Sequence, residues 1–266
     1  MRASINEFPS PQTSHEVRLG MLTPSSNTVL EPLCTAMLSG LPEVSLHFGR
    51  FRVTEISLSV SALSQFSQRG MLDAVALLAD ARPRVICWSG TSASWLGLRH
   101  DDELCAAITR ETGVPATSAM LSLFDALRAA GCRRVGLVTP YTDTVQRSVM
   151  ETLTAEGLTV VAERHLGIVD NFSFAGVSGT ALTAMIHEVA AARPQAILVL
   201  CTNLRAAPIV DGLERALGLP LLDSVATAVW GALNLAGVRP QRVKGWGRLF
   251  DGFPAEAPAP ARHSGP

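Results

Sequence analysis

RLGMLTPSSNT, residues 18–28, and RVGLVTPYTDT, residues 134–144, carry Arg, Gly, Thr, Pro and Thr in the same slots at a spacing of 134 − 18 = 116 residues. A second pair repeats the relation: ARPRVICWSGTS at 81–92 aligns with ARPQAILVLCTN at 192–203, at a spacing of 192 − 81 = 111. Two fragments recurring at nearly one spacing mark a duplicated module of somewhat over 100 residues. In both copies an apolar strand ends in a small residue followed by Thr, Gly90-Thr91 in the first and Cys201-Thr202 in the second. If the copies face each other, the loops after these strands converge on one cleft. That cleft is chemically asymmetric, because one copy offers a thiol where the other offers hydrogen.

Outward from these fragments, short β-rich runs alternate with longer helical ones. Strands are expected at 19–23, 44–51, 85–88, 135–139, 158–163, 197–200 and 219–222, most of them continuous apolar or β-branched runs typical of parallel strands covered on both faces. Helices are expected at 63–81, 102–112, 119–130, 143–156, 178–192 and 207–217. GVP at 113–115 and GLP at 218–220 close a helix and open a strand at equivalent places. The expected fold is α/β: two similar lobes, each a right-handed parallel sheet with helices on both faces. Ligands in such sheets bind beyond the carboxyl ends of the strands, where the loops just named lie. The expected organisation is a disordered tail at 1–17, a first lobe of 18–118 plus 225–250, a second lobe of 119–224, and a disordered Pro/Ala-rich tail at 251–266.

Composition excludes several function classes. With 17% charged residues and a formal net charge of −1 among 266 residues, no basic field exists to hold a nucleic acid or an anionic membrane. The N-terminal MRASINEFPSPQTSHEV has no apolar core and no run reaches the ~18 apolar residues of a membrane span, so the chain is expected to be soluble and cytoplasmic. Five cysteines (Cys34, Cys87, Cys105, Cys132 and Cys201) lack CxxC spacing, and six histidines lack an i, i+4 pair, so neither a zinc site nor a metal hydrolase is indicated.

The candidate chemistry lies in the strand-end loops. Thr23 to Thr28, with Ser25 and Asn27, reads either as a capped turn or as an anion site at a helix start. Gly90-Thr91-Ser92 reads as an anion nest or a small-residue turn, and is neither GxGxxG nor GxSxG. Cys201 is a small hydrophobe or a reactive thiol beside polar Thr202 and Asn203. Cys87 lies an odd offset from Gly90 and so points to the other face. Tyr141 is a loop aromatic or an oxyanion donor, and Asn171 in VDNFSF is a loop amide with the same two readings. Trp88, Trp95 and Phe174 lie near these loops, as core residues or as walls of an apolar pocket, and Trp246 is read as anchoring the C-terminal segment.

With PSSNT, WSGTSAS, TPY, the strand ending in Cys201 and the closing GWGRLF, the chain resembles the aspartate/glutamate racemase superfamily over about residues 18–250, in the branch of maleate cis-trans isomerases and arylmalonate decarboxylase. The resemblance implies two similar flavodoxin-like lobes about a pseudo-twofold axis, a site between them and no cofactor. Members normally carry one cysteine per lobe. Here Cys201 matches the second, and Gly90 stands at the first, as in arylmalonate decarboxylase. Carried over, the carboxylate-binding and oxyanion donors fall on Thr91, Ser92 and Tyr141 with backbone N–H groups of Ser92, Cys201 and Thr202, while the isomerase branch places substrate-binding amides on Asn27 and Asn171. The implied activity is cofactor-independent decarboxylation of a substituted malonate, with Cys201 protonating an enediolate. The alternatives are a maleate-isomerase-like or racemase-like enzyme on a small dicarboxylate, and a non-catalytic carboxylate-binding protein. The expected partner is a small carboxylate, with an oligomer allowed. A thiol placed at Gly90 is expected to confer racemase activity.

Overall fold

The computed structural model describes residues 16–252. Its first parallel sheet comprises β1 (Val17–Pro24), β2 (Val44–Phe51), β3 (Val85–Trp88) and β4 (Ala116–Ser118); its second comprises β5 (Arg134–Thr139), β6 (Thr159–His165), β7 (Ala196–Val199) and β8 (Leu221–Asp223). The strand orders are β2-β1-β3-β4 and β6-β5-β7-β8, the same topology twice. The central strands β1, β3, β5 and β7 are buried almost throughout, which is why their sequences run apolar without alternation.

The helices are α1 (Leu30–Met37), α2 (Val60–Ser64), α3 (Gln68–Ala79), α4 (Ala93–Leu96), α5 (Leu98–Thr112), α6 (Ala119–Ala129), α7 (Asp143–Ala155), α8 (Gly179–Ala190), α9 (Ala207–Leu217), α10 (Ser224–Leu235) and α11 (Arg248–Asp251), with 3₁₀ turns at Phe172–Gly176 and Pro240–Arg242. Gly113 and Gly218 end α5 and α9 in the left-handed conformation at φ 72° and 71°, as the GVP and GLP triplets imply. The duplication extends to backbone strain. Arg82 and Arg193, equivalent residues of the two ARP triplets, are the non-glycine residues with positive φ among those described, at 50° and 51°.

Several expectations need correction. The single helix expected at 63–81 is two, α2 and α3, because Ser67 leaves the helical conformation with ψ 133° and caps α3. The sequence pattern passes over α1 and α10. α10, SVATAVWGALNL, is buried on nearly every side and so has no polar stripe for a periodicity argument to find. It follows β8 yet packs on the first sheet's side of the molecule: Cys87 Sγ lies 3.7 Å from Ala228 O, and Thr227 Oγ1 donates to Ala119 O at 3.1 Å. The expected tails fall mostly outside the described residues, but Val17 already belongs to β1 and Asp251 to α11. Among the described residues no helix is long and apolar enough to cross a membrane.

Candidate active site

The carboxyl ends of β1, β3, β5 and β7 bring their four loops together, and side-chain and backbone hydrogen bonds join the two halves there. Asn27 caps α1, its Oδ1 accepting the N–H groups of Val29 and Leu30 at 2.9 Å each, and its Nδ2 donates across to Thr202 Oγ1 at 3.1 Å. The Thr202 hydroxyl donates to Ser89 O at 3.0 Å. Asn203 accepts from Thr28 N at 3.0 Å and donates to Asn171 O at 2.6 Å, while Asn171 Nδ2 donates to Ser26 Oγ at 2.7 Å. Two further loops strap the site. Asn171 N donates to Thr54 O and Ile56 N to Val169 O, both at 3.0 Å, around an antiparallel bridge between Glu55 and Asp170.

Beneath that strap lies a cavity lined by Pro24, Ile56, Phe66, Trp88, Gly90, Thr91, Ser92, Trp95, Tyr141, Asn171, Phe174 and Thr202. Its accessible volume is about 20 Å³, room for a water or two and not for a dicarboxylate. One wall is aromatic: Trp95 meets Tyr141 edge-on at 5.2 Å, Tyr141 meets Phe174 at 5.9 Å, and Phe66 meets Trp95 at 5.8 Å. The opposite chemistry is also present. Ser92 Oγ and the indole nitrogens of Trp88 and Trp95 are buried without a protein partner. Buried donors left unpaired cost about 1–3 kcal/mol each, a cost that an anionic ligand's oxygens can offset.

Tyr141 is the hub. Its hydroxyl and Thr91 Oγ1 hydrogen-bond each other at 2.7 Å, and the same hydroxyl stands beside the Cys201 thiol. Cys201 is itself absent from the cavity wall; 4% exposed, it meets the cavity through Tyr141. Burial pushes its thiol up to about 12, outweighing the Asn203 N–H, 3.4 Å from the sulfur, and the Tyr141 hydroxyl, which both favour the thiolate. Burial also raises Tyr141 well above the usual phenol range. Both groups are neutral near pH 7: two O–H or S–H donors, and no resting nucleophile.

The expected site residues thus divide. Thr91, Ser92, Tyr141, Asn171 and Thr202 line the cavity with Gly90, and Cys201 touches it through Tyr141. Ser25 is exposed, its Oγ held at Val53, where it accepts that residue's N–H at 3.2 Å. Asn27 and the Thr202 hydroxyl are committed to ties between the halves, and the Cys201 N–H donates to Ser224 Oγ at 3.2 Å, which removes it from an oxyanion hole. At Gly90 the expectation of a simple swap to a thiol also needs correction, because a Cβ there would meet Trp88 ring carbons at 2.2 to 2.7 Å. Sequence reading passes over Asn203, whose amide joins both halves, and over the W-x-G spacing that brings Trp88 onto Gly90's face. Among the described residues no three His, Cys, Asp or Glu side chains stand close enough to hold a metal ion.

Comparisons with known proteins bear on the family and the fold. The family model described as arylmalonate decarboxylase matches residues 42–250. A maleate isomerase of Nocardia farcinica is 30% identical over 243 residues, 88% of this chain and 95% of the relative. Arylmalonate decarboxylase of Bordetella bronchiseptica is 34% identical over 170 residues, 63% of this chain and 71% of the relative. Among solved structures, the Nocardia farcinica maleate cis-trans isomerase with a covalently bound succinylcysteine intermediate superposes with a TM-score of 0.79 at 28% identity, covering 88% of this chain and 98% of that one. A liganded, doubly substituted arylmalonate decarboxylase gives 0.76 at 27%, covering 88% and 99%.

Proposed function

Since the chain belongs to the arylmalonate decarboxylase family, we propose that it is a cofactor-independent decarboxylase of a substituted malonate. The observation that carries the reading is the pairing of one neutral thiol, Cys201, beside Tyr141, with a first-lobe position, Gly90, that has no side chain. The strap opens to admit the substrate and closes over it. One carboxylate is gripped by Thr91, Ser92 and Tyr141. The other lies against Trp88, Trp95, Phe66, Ile56 and Phe174, where it has lost its hydration. An ionised carboxylate without partners in such surroundings is costly, and that cost disappears as CO₂ departs.

When the C–C bond breaks, its electron pair delocalises onto the gripped carboxylate as an enediolate, and each aligned donor there contributes roughly 3 kcal/mol. In the site opened for substrate, the Cys201 S–H, which the closed cavity meets only through Tyr141, delivers its proton to the α-carbon from one face. The thiolate left behind is held by the Asn203 N–H and the Tyr141 hydroxyl and recovers its proton from water. A thiol pushed up to about 12 is an acid ready in its protonated form at neutral pH.

The second reading, isomerisation of maleate, is favoured by the Nocardia farcinica relative. It needs a thiolate that adds to a double bond, and the one thiol touching this site through Tyr141 is protonated. The test is a substrate panel of phenylmalonate, methylmalonate and maleate in D₂O followed by NMR. Loss of CO₂ with deuterium at the α-carbon of the product supports the proposal; fumarate from maleate, with no CO₂ from either malonate, overturns it. Tight binding of all three without turnover supports a non-catalytic carboxylate-binding protein instead.

A further inference from the structure

Trp88 ends β3 and Gly90 lies two residues beyond it, facing the same ring. A Cβ built on Gly90 would lie 2.2, 2.4 and 2.7 Å from Cζ2, Cη2 and Cε2 of Trp88, all atoms of the six-membered ring. The indole is fully buried, packs against Phe51 with ring centroids 5.3 Å apart, and forms part of the cavity wall, so it has little freedom to retreat. The second copy gives the control. At the spacing of 111, Trp88 and Gly90 correspond to Val199 and Cys201. There a small aliphatic residue precedes a thiol that meets the cavity through Tyr141, whereas here a large ring precedes hydrogen. Bulk has been exchanged between two positions of one strand end.

We infer that Trp88 is a specificity-determining residue of this cleft: its ring fills the space through which a first-lobe side chain would reach the substrate carbon, closing that face to any proton donor. The inference rests on the proposed decarboxylation for its functional half; its steric half stands independently. It also explains why Gly90 cannot be exchanged for Cys alone. A thiol at that position needs the indole removed first, as Val199 removes it in the other copy.

The experiment uses the full chain in two stages. Melting temperatures of Gly90→Ala, Trp88→Leu and the double variant test the steric half, with Trp88→Phe in place of Trp88→Leu should the latter not fold. Gly90→Ala is expected to melt about 4 °C or more below the parent, and much of that loss should vanish when Trp88 is already replaced. Additive losses overturn the inference. Next, Gly90→Cys and Trp88→Leu/Gly90→Cys are incubated with each enantiomer of 2-phenylpropionate in D₂O. The double variant should exchange and racemise the α-hydrogen at least about tenfold faster than the single. Equal rates, or a folded double variant that never exchanges, overturn the role assigned to Trp88. Should the parent fail to decarboxylate any malonate while the thermal coupling holds, the function reading falls and the placement of the ring stands.

Discussion

Replacing Asp223 by Asn should leave stability nearly unchanged at pH 4 and raise it at pH 8. Asp223 ends β8 and caps α10, its Oδ1 accepting the N–H groups of Val225 and Ala226 at 2.9 and 3.0 Å, while its Oδ2 is buried without a partner. Burial raises its carboxyl to about 7, against those two hydrogen bonds, which favour the ionised form. In an unfolded chain the group titrates near 3.9. A carboxyl raised on folding contributes stability that is fully present below the unfolded value and is lost as pH climbs to the folded one. The window is therefore about pH 4 to 7, and 3 units at about 1.4 kcal/mol each set a ceiling of about 4 kcal/mol. The amide matches the protonated carboxyl in shape, keeps the cap and never ionises. Urea unfolding at pH 4, 6 and 8 should give a difference between Asp223→Asn and the parent that grows from near zero to as much as about 4 kcal/mol in favour of the variant. A difference that stays constant across that range would refute the reasoning.

Three further outcomes follow from particular contacts. Tyr141→Phe removes the hydroxyl that joins Thr91 to Cys201; kcat for decarboxylation should fall about 10²- to 10³-fold while stability drops by about 1 kcal/mol, and an unaltered kcat would remove Tyr141 from the oxyanion site. Gly231→Ala puts a Cβ 1.8 Å from Ser122 Oγ where α10 crosses α6, and should cost about 1–3 kcal/mol in urea unfolding; the same cost in a Ser122→Gly background would show that this contact is not the cause. Burial pushes Cys87 and Cys201 up to about 12, whereas unfolded thiols ionise near 8.5. Their contribution is intact below that value and lost above it, by up to about 1.4 kcal/mol per pH unit for each thiol, so the urea midpoint in reductant should fall between pH 8.5 and 10. A flat midpoint would contradict the burial of those sulfurs.

The duplication was legible because its signals are local. The TP turns after β1 and β5 and the small-Thr pairs after β3 and β7 are all short strings whose conformation their own residues dictate. Those strings lie at the strand ends that build the cavity, so Thr91, Ser92, Tyr141 and Cys201 could be named from sequence. What was not legible depends on partners distant in the chain. α10 carries no polar stripe because α6 and the first sheet cover it, and Asn27 spends its amide on Thr202, 175 residues away. Ser25 points outward because Val53 holds it, which no pattern in PSSNT indicates. Trp88 over Gly90 is an intermediate case. The two-residue spacing predicts a shared face, and only the folded backbone sets a Cβ at Gly90 2.2 Å from the ring.

The central claim is that Cys201 alone delivers the proton, from one face, to a carbanion formed by loss of CO₂. Phenylmalonate bearing a second, distinct α-substituent, incubated in D₂O with the parent protein and with Cys201→Ala, tests it directly by chiral chromatography and NMR of the product acid. The account predicts a single enantiomer carrying one α-deuterium from the parent, and a variant that still binds the substrate but turns it over at least about 10²-fold more slowly. A racemic product from the parent, or full-rate turnover by Cys201→Ala, would contradict it.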